Sequence, residues 1–328
     1  MKAFVTGGSG FLGGRLIRTL VARGDEVLAL ARSDAAAKRV QAHGATAVRG
    51  DLDATDAMAS AMRGCQVVFH SAAKVEDWGA PAEFERINVE GTRNVLAAAR
   101  AASVPRLVHV STEAQYAGGP MQNLTEDSPR PERPIGEYAR TKRAADDLVR
   151  AANDDALLTV VVRPRLIWGH GDTSVLPQII DAVRDGRFRW IAGGHYLTST
   201  CHVDNVVEGM LLAAERGKGG EAYFLTDGEP VEMRTFLSEL LRANGTEPPS
   251  GSIPRSVARA AAAFTDVIWR TFSLTRQPPV TPMALCLIGQ EVTVSDAKAR
   301  RELGYTAAVS IADGIAECAT RSRPPGDG

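Results

Sequence analysis

The chain is poor in cysteine, in aromatic residues and in net charge. Its four cysteines, Cys65, Cys201, Cys286 and Cys318, stand far apart, with no CxxC pair and no histidine at ligand spacing. That pattern argues against a disulfide framework or a zinc site and for isolated, buried thiols of a reducing compartment. Lysine plus arginine number 38 against 39 aspartate plus glutamate, a formal charge of −1. So even a balance gives no overall field to draw the chain onto nucleic acid or an anionic bilayer. No run of about 18 apolar residues occurs. The start, MKAFVTGGSG, lacks the charged and apolar regions of a secretory signal. The expectation is a cytoplasmic protein with no membrane span, no metal and no nucleic-acid partner.

What is present is an ordinary globular composition, 44% hydrophobic and 23% charged over 328 residues. This excludes disordered, collagen-like and coiled-coil readings, and the length points to two domains. As far as residue 165 the chain alternates. Strand-like stretches fall at 2–6, 26–31, 45–49, 66–71, 106–111 and 158–162, helix-like ones at 11–23, 35–43, 55–62, 83–102 and 138–153. The strands read as continuous apolar runs (VVF, LVHV, LTVVV), as a sheet covered on both faces requires. The fold class is α/β, a Rossmann-type doubly wound parallel sheet. Past Pro164 strands thin out, near 197–202 and 222–225, and helical patterns at 233–244, 254–272, 295–303 and 310–318 dominate. The expected division is 1–165 for nucleotide binding, with returning segments near 197–225, and 166–328 as a smaller, mostly helical substrate-binding part. The tail RSRPPGDG has no packing pattern.

Thr6-Gly7-Gly8-Ser9-Gly10-Phe11-Leu12-Gly13 lies where the first strand hands over to the first helix. Glycine is needed there for a tight turn, for close approach of the backbone to a pyrophosphate, and for close packing of helix on strand. The helix start offers unpaired N–H groups and a positive dipole end to the phosphates. An NAD enzyme usually carries Asp or Glu about 20 residues further on; here stands Leu30-Ala31-Arg32. A carboxylate repels a 2′-phosphate and a guanidinium binds it. Lys38 and Arg39 add charge nearby, so NADP(H) is favoured over NAD(H). Asp51-Leu52 follows the third strand, in position to meet the adenine. Ser71-Ala72-Ala73 ends the fourth, where small residues let a cofactor pass, and His70 reads as packed or capping.

Tyr138 and Lys142 stand four apart in GEYARTKRAADDLV, on one face of a helix. Reduction of a ketone by hydride needs a proton donor for the developing alkoxide. An ammonium beside a tyrosine lowers the phenol's pKa from its usual value near 10 and can hold ribose hydroxyls. The hydroxyl of Thr112, after the strand ending Val110-Ser111, completes a cradle for the substrate oxygen.

Together the stretches TGGSGFLG, HSAA, NVEGTRNVL, VSTEAQY, YARTK and RPRLIWGHGD resemble the extended short-chain dehydrogenases/reductases of the NAD-dependent epimerase/dehydratase superfamily. By that resemblance Thr112, Tyr138 and Lys142 are the catalytic triad, with Ser111 the second choice for the hydroxyl. It also implies Asn88 near the cofactor and Arg163-Pro164 opening the segment that passes the nicotinamide. HSAAKVEDWG, the His202-Val203-Asp204-Asn205 turn, EAYFLTDGEPV, SIPRSVA and KARRELGY resemble the 3β-hydroxysteroid dehydrogenase-like branch. That branch implies a small-molecule substrate, a bulky, apolar ketone or secondary alcohol, steroid-like or long-chain. Relatives pair two long helices into a homodimer, here 83–102 and 138–153.

Two other readings compete. Sugar-nucleotide dehydratases follow the catalytic threonine with an Asp-Glu pair, whereas here Glu113 is followed by Ala114. Epimerases need no such pair, but the second half offers only Arg184, Arg187 and Arg189 for a diphosphate, and these read as solvated. A catalytically silent NADP-sensing protein often lacks the tyrosine or lysine that this chain retains. The segment 256–272 reads as a packed lid or core helix in preference to a membrane-surface one. Trp78, Trp168, Tyr196 and Met121 are candidate pocket walls.

Overall fold

The computed structural model describes residues 1–272, 274, 278 and 280–321, so the tail at 322–328 lies outside the described residues. Six strands arise in the first half: β1 (Lys2–Thr6), β2 (Glu26–Ala31), β3 (Thr46–Arg49), β4 (Val67–His70), β5 (Arg106–Val110) and β6 (Leu158–Pro164). Four two-residue strands follow, β7 (Ile167–Trp168), β8 (Trp190–Ile191), β9 (Leu197–Thr198) and β10 (Cys201–His202), and then β11 (Ala222–Leu225). The main sheet runs β11-β6-β5-β4-β1-β2-β3, with every pairing parallel.

The helices of the first half are α1 (Phe11–Ala22), α2 (Asp34–Ala42), α3 (Thr55–Met62), α4 (Pro81–Phe84), α5 (Gly91–Ala101) and α6 (Glu137–Ala151). Those of the second are α7 (Leu176–Arg184), α8 (Val203–Arg216), α9 (Met233–Ala243), α10 (Arg255–Thr271), α11 (Pro282–Ile288), α12 (Ala297–Leu303) and α13 (Ile311–Arg321). Alternation along β1 feeds two cores. Ala3 and Val5 pack with Leu16, Ile17 and Met210 on one face; Phe4 packs with Met58, Val95 and Val149 on the other. A strand buried on both faces must be apolar throughout, which is why these runs carry no polar alternation.

Strand order reverses between β1 and β4, whose register pairs Thr6 with His70. In open α/β sheets the crevice at such a reversal, beyond the carboxyl ends of the strands, is where ligands bind.

Several elements depart from the sequence expectation, helices α7 and α11 among them, which it did not contain. The single helix at 83–102 is interrupted by a π-helical turn, Glu85–Glu90, which carries Asn88. Helix α8 was not expected, because Val203, Val206 and Val207 lower helix propensity; all three are buried, so packing outweighs it. Helix α10 is not a core helix. It packs through Ala258 and Ala262 and leaves Val257 53%, Phe264 68% and Val267 63% exposed, because alanines facing inward bury little area. All four cysteines are free and buried. No helix among the described residues is long and apolar enough to cross a membrane.

Candidate active site

Thr6 ties the two strand ends at the reversal together. Its hydroxyl pairs with His70 Nδ1 at 2.7 Å and accepts from the Ala72 N–H at 3.2 Å, and Ser71 Oγ donates to its carbonyl at 2.8 Å. Gly7 takes φ +74°, and a Cβ on it would lie 2.7 Å from Ala72 N. A Cβ on Gly13 would lie 2.3 Å from the Gly7 carbonyl oxygen. Neither position admits a side chain. Helix α1 has no side-chain cap and no acidic residue in its first turn, so its amino end keeps free N–H groups and a positive field for an anion. The loop from Gly7 to Gly13, with Gly8, Ser9, Gly10, Phe11 and Leu12, therefore fits a dinucleotide's pyrophosphate.

Arg32 stands exposed just past β2, and Lys38 and Arg39 are exposed on α2. Asp51 is exposed and accepts from the Asp53 N–H at 3.0 Å, while Leu52 is half-buried against Gly91. Ala73 is half-buried on the segment leaving β4.

At the end of β5, Thr112 turns the chain. Its Oγ1 accepts from the Ala114 N–H at 3.1 Å and donates to Glu113 Oε2 at 2.9 Å. The Tyr138 phenol stands beside Thr112 and Glu113. Burial and the Glu113 charge push the Tyr138 phenol well up, and Thr112 opposes them. Lys142 is buried; its Nζ donates to the Val110 carbonyl at 2.6 Å and lies 3.4 Å from His109 Nε2. An ammonium has three donors, so one remains for a ribose hydroxyl. The sequence expectation was that Lys142 tunes Tyr138. In the structure the Lys142 ammonium is directed at the Val110 carbonyl and His109. Burial pushes Lys142 down to about 8, with Asp146 opposing.

His70 and His109 stack beneath with ring centroids 5.0 Å apart. Burial, then the Lys142 charge, push His70 down to about 3, so it is a neutral packing and hydrogen-bonding residue. Asn88 spends its side chain on both backbone groups of Lys74 (2.7 and 3.1 Å) and on Thr141 Oγ1 at 3.0 Å. It thus sets the segment after Ala73 against α6 at the residue beside Lys142.

Arg163, expected with Pro164 to open the segment that passes the nicotinamide, turns its side chain to Asp146. Its side chain is buried in a two-point pair with Asp146 at 2.8 and 2.9 Å, reinforced by Gln115 at 3.1 Å and Tyr116 at 3.2 Å. Only the backbone of Arg163 and Pro164 is left to face a cofactor. Ser111 is buried, and its Oγ finds no hydrogen-bond partner among the described residues. Sequence reasoning missed Asp146, His109 and Arg165. Asp146 had a signal, because it repeats the four-residue step from Tyr138 to Lys142; the other two had none.

Residues 4–255 match the 3-beta hydroxysteroid dehydrogenase/isomerase family. The chain belongs to that family. A 4-hydroxy-2-methyl-3-oxo-4-farnesyl-3,4-dihydroquinoline-1-oxide ketoreductase of Stigmatella aurantiaca is 52% identical over 100% of this chain and 98% of its own. A 2-alkyl-3-oxoalkanoate reductase of Stenotrophomonas maltophilia is 38% identical over 96% of this chain and 97% of its own. Among solved structures, a double mutant of the dTDP-glucose 4,6-dehydratase DesIV of Streptomyces venezuelae, with NAD bound, matches at TM-score 0.76 and 25% identity, covering 98% of this chain and 96% of that one. This member of the 3-beta hydroxysteroid dehydrogenase/isomerase family is an oxidoreductase of the extended short-chain dehydrogenase/reductase class, acting on CH–OH and keto groups.

In this oxidoreductase, helix α11 separates Tyr138 from a cavity of about 550 Å³. Met283, Cys286 and Leu287 face the cluster that includes Tyr116 and Tyr138. Ala284, Leu285 and Ile288 line the cavity with Trp168, Trp190 and Tyr196. Two of the expected pocket walls, Trp168 and Tyr196, are therefore in place. Met121 instead packs on the triad side against Cys286, and Trp78 donates to the Leu274 carbonyl. Arg184, Arg187 and Arg189 are exposed, and Arg187 is paired with Asp185 at 2.7 Å.

Proposed function

We propose that the chain is an NADP(H)-dependent reductase of a ketone carried by a long or bulky apolar group. The observation that carries this reading is Thr112, Tyr138 and Lys142 meeting at the end of β5, across an α11 partition from an apolar cavity. The nicotinamide cofactor, when bound, supplies the hydride. Tyr138 gives its proton to the developing alkoxide, and burial favours the protonated phenol needed for that step. Thr112 orients the carbonyl oxygen. Lys142, anchored on Val110, directs its remaining donor to the ribose. Arg32 takes the 2′-phosphate, with Asp51 and Leu52 at the adenine and residues 71–73 passing the cofactor.

The relatives support the substrate class. The Stigmatella enzyme's named substrate carries a farnesyl chain, an oxo group at position 3 and a hydroxyl at position 4, and the Stenotrophomonas enzyme's is an alkyl-substituted 3-oxoalkanoate. A dehydratase reading loses support because Glu113 lacks an acidic neighbour, Ala114 being buried at that place.

The test follows nicotinamide absorbance with NADPH or NADH and long-chain ketones, with and without a neighbouring hydroxyl. Tyr138→Phe should lose roughly 10²–10⁴ in kcat while cofactor binding persists. Undiminished turnover would remove Tyr138 from the mechanism.

A further inference from the structure

Two buried carboxylate–guanidinium pairs stand near the end of β6, and they are built differently. Asp146 and Arg163 form a closed pair, with two parallel contacts and Gln115 supplying a further donor. Glu113 and Arg165 form an open one. A single contact of 3.3 Å joins Oε1 to Nη1, with side chains 5% and 2% exposed. Arg165 Nη2 donates to Thr198 Oγ1 at 3.2 Å and to the Leu287 carbonyl at 2.6 Å. Its Nε is buried with no hydrogen-bond partner among the described residues. Desolvation of a buried ion pair is recovered only when further hydrogen bonds satisfy both ions. The first pair meets that condition and the second does not.

The open pair is also the one at the reaction centre. Glu113 Oε2 accepts the Thr112 hydroxyl at 2.9 Å, and the Tyr138 phenol stands beside both residues. A charge pair left incomplete one hydrogen bond from the carbonyl cradle is suited to receive a polar group of the substrate.

We propose that Glu113 and Arg165 recognise a hydroxyl on the carbon next to the substrate's carbonyl, which makes the substrate an apolar α-hydroxyketone. The proposal rests on the ketone-reductase reading above. A hydroxyl both donates and accepts, so it can give its hydrogen to Glu113 and accept one from Arg165 without adding charge. As it does so it competes with Thr112 for Glu113 Oε2, and the freed Thr112 hydrogen turns to the carbonyl oxygen. A plain ketone leaves the pair incomplete and Thr112 engaged. A carboxylate at the same place is repelled by Glu113.

The experiment compares three probes of equal chain length with NADPH: a long-chain α-hydroxyketone, the same ketone without the hydroxyl, and the 3-oxo acid. A hydrogen bond to a charged group is worth about 1.5–3 kcal/mol, so the native enzyme should favour the hydroxyketone in kcat/KM by about 10- to 100-fold. Glu113→Gln, nearly isosteric, should lower kcat/KM for the hydroxyketone by a similar factor more than for the plain ketone. Equal native rates on both ketones overturn the proposal, as does an equal loss on both in Glu113→Gln. A preference for the 3-oxo acid assigns Arg165 to a carboxylate and also overturns it. If native enzyme reduces neither ketone, the ketone-reductase reading falls and this one with it. The native preference is measurable even if the variant fails to fold.

Discussion

The ammonium of Lys142 lies 2.6 Å from the carbonyl oxygen of Val110. This bond pins α6 to the end of β5, two residues before Thr112. The helix that supplies Tyr138 and the strand that supplies Thr112 are thereby held in one arrangement.

Because burial brings Lys142 down to about 8, its charge should be lost as pH rises through that value. Affinity for an anionic cofactor should then weaken above pH 8, while the Tyr138 phenol, pushed upward by burial, keeps its proton over the same range. Cofactor titrations by fluorescence between pH 6 and 10 check this. A dissociation constant that stays flat throughout would remove the Lys142 charge from cofactor binding.

Arg32→Ala should weaken NADPH binding by roughly 10- to 100-fold, the worth of a charge-assisted hydrogen bond, and affect NADH far less. Calorimetric titration with both cofactors decides. Equal weakening would mean that the guanidinium stacks on adenine instead of meeting a 2′-phosphate.

Asp146→Ala leaves the Arg163 guanidinium buried without its partner. The expected loss is about 3–5 kcal/mol of folding stability, read from denaturant unfolding. Replacing Arg163 by Met in the same chain should restore much of it, since an apolar pair of similar volume avoids the desolvation. A single variant as stable as the native protein would contradict the closed pair.

Ala284→Trp puts a large side chain into the cavity from α11. Kinetics on a ketone series should show kcat/KM falling by about tenfold more for long chains than for short ones. A uniform change across the series would separate the cavity from substrate binding.

The glycine loop, the parallel strands and the step from Tyr138 to Lys142 were all legible in the sequence. Each is local: a tight turn, a buried strand and one helix face are set by residues within a few positions of one another. The partners of the charged groups were not legible. Arg163 pairs inward with Asp146, and Arg165 meets Glu113, Thr198 and Leu287. These contacts join segments brought together only when the sheet closes and α11 docks on it. The exposed face of α10 and the apolar cavity likewise follow from which neighbours cover each helix. Sequence by itself determined the chemistry available, because turn and helix geometry act over short range. Tertiary structure decided which charges are fully paired and which are not, because burial and pairing depend on groups remote along the chain.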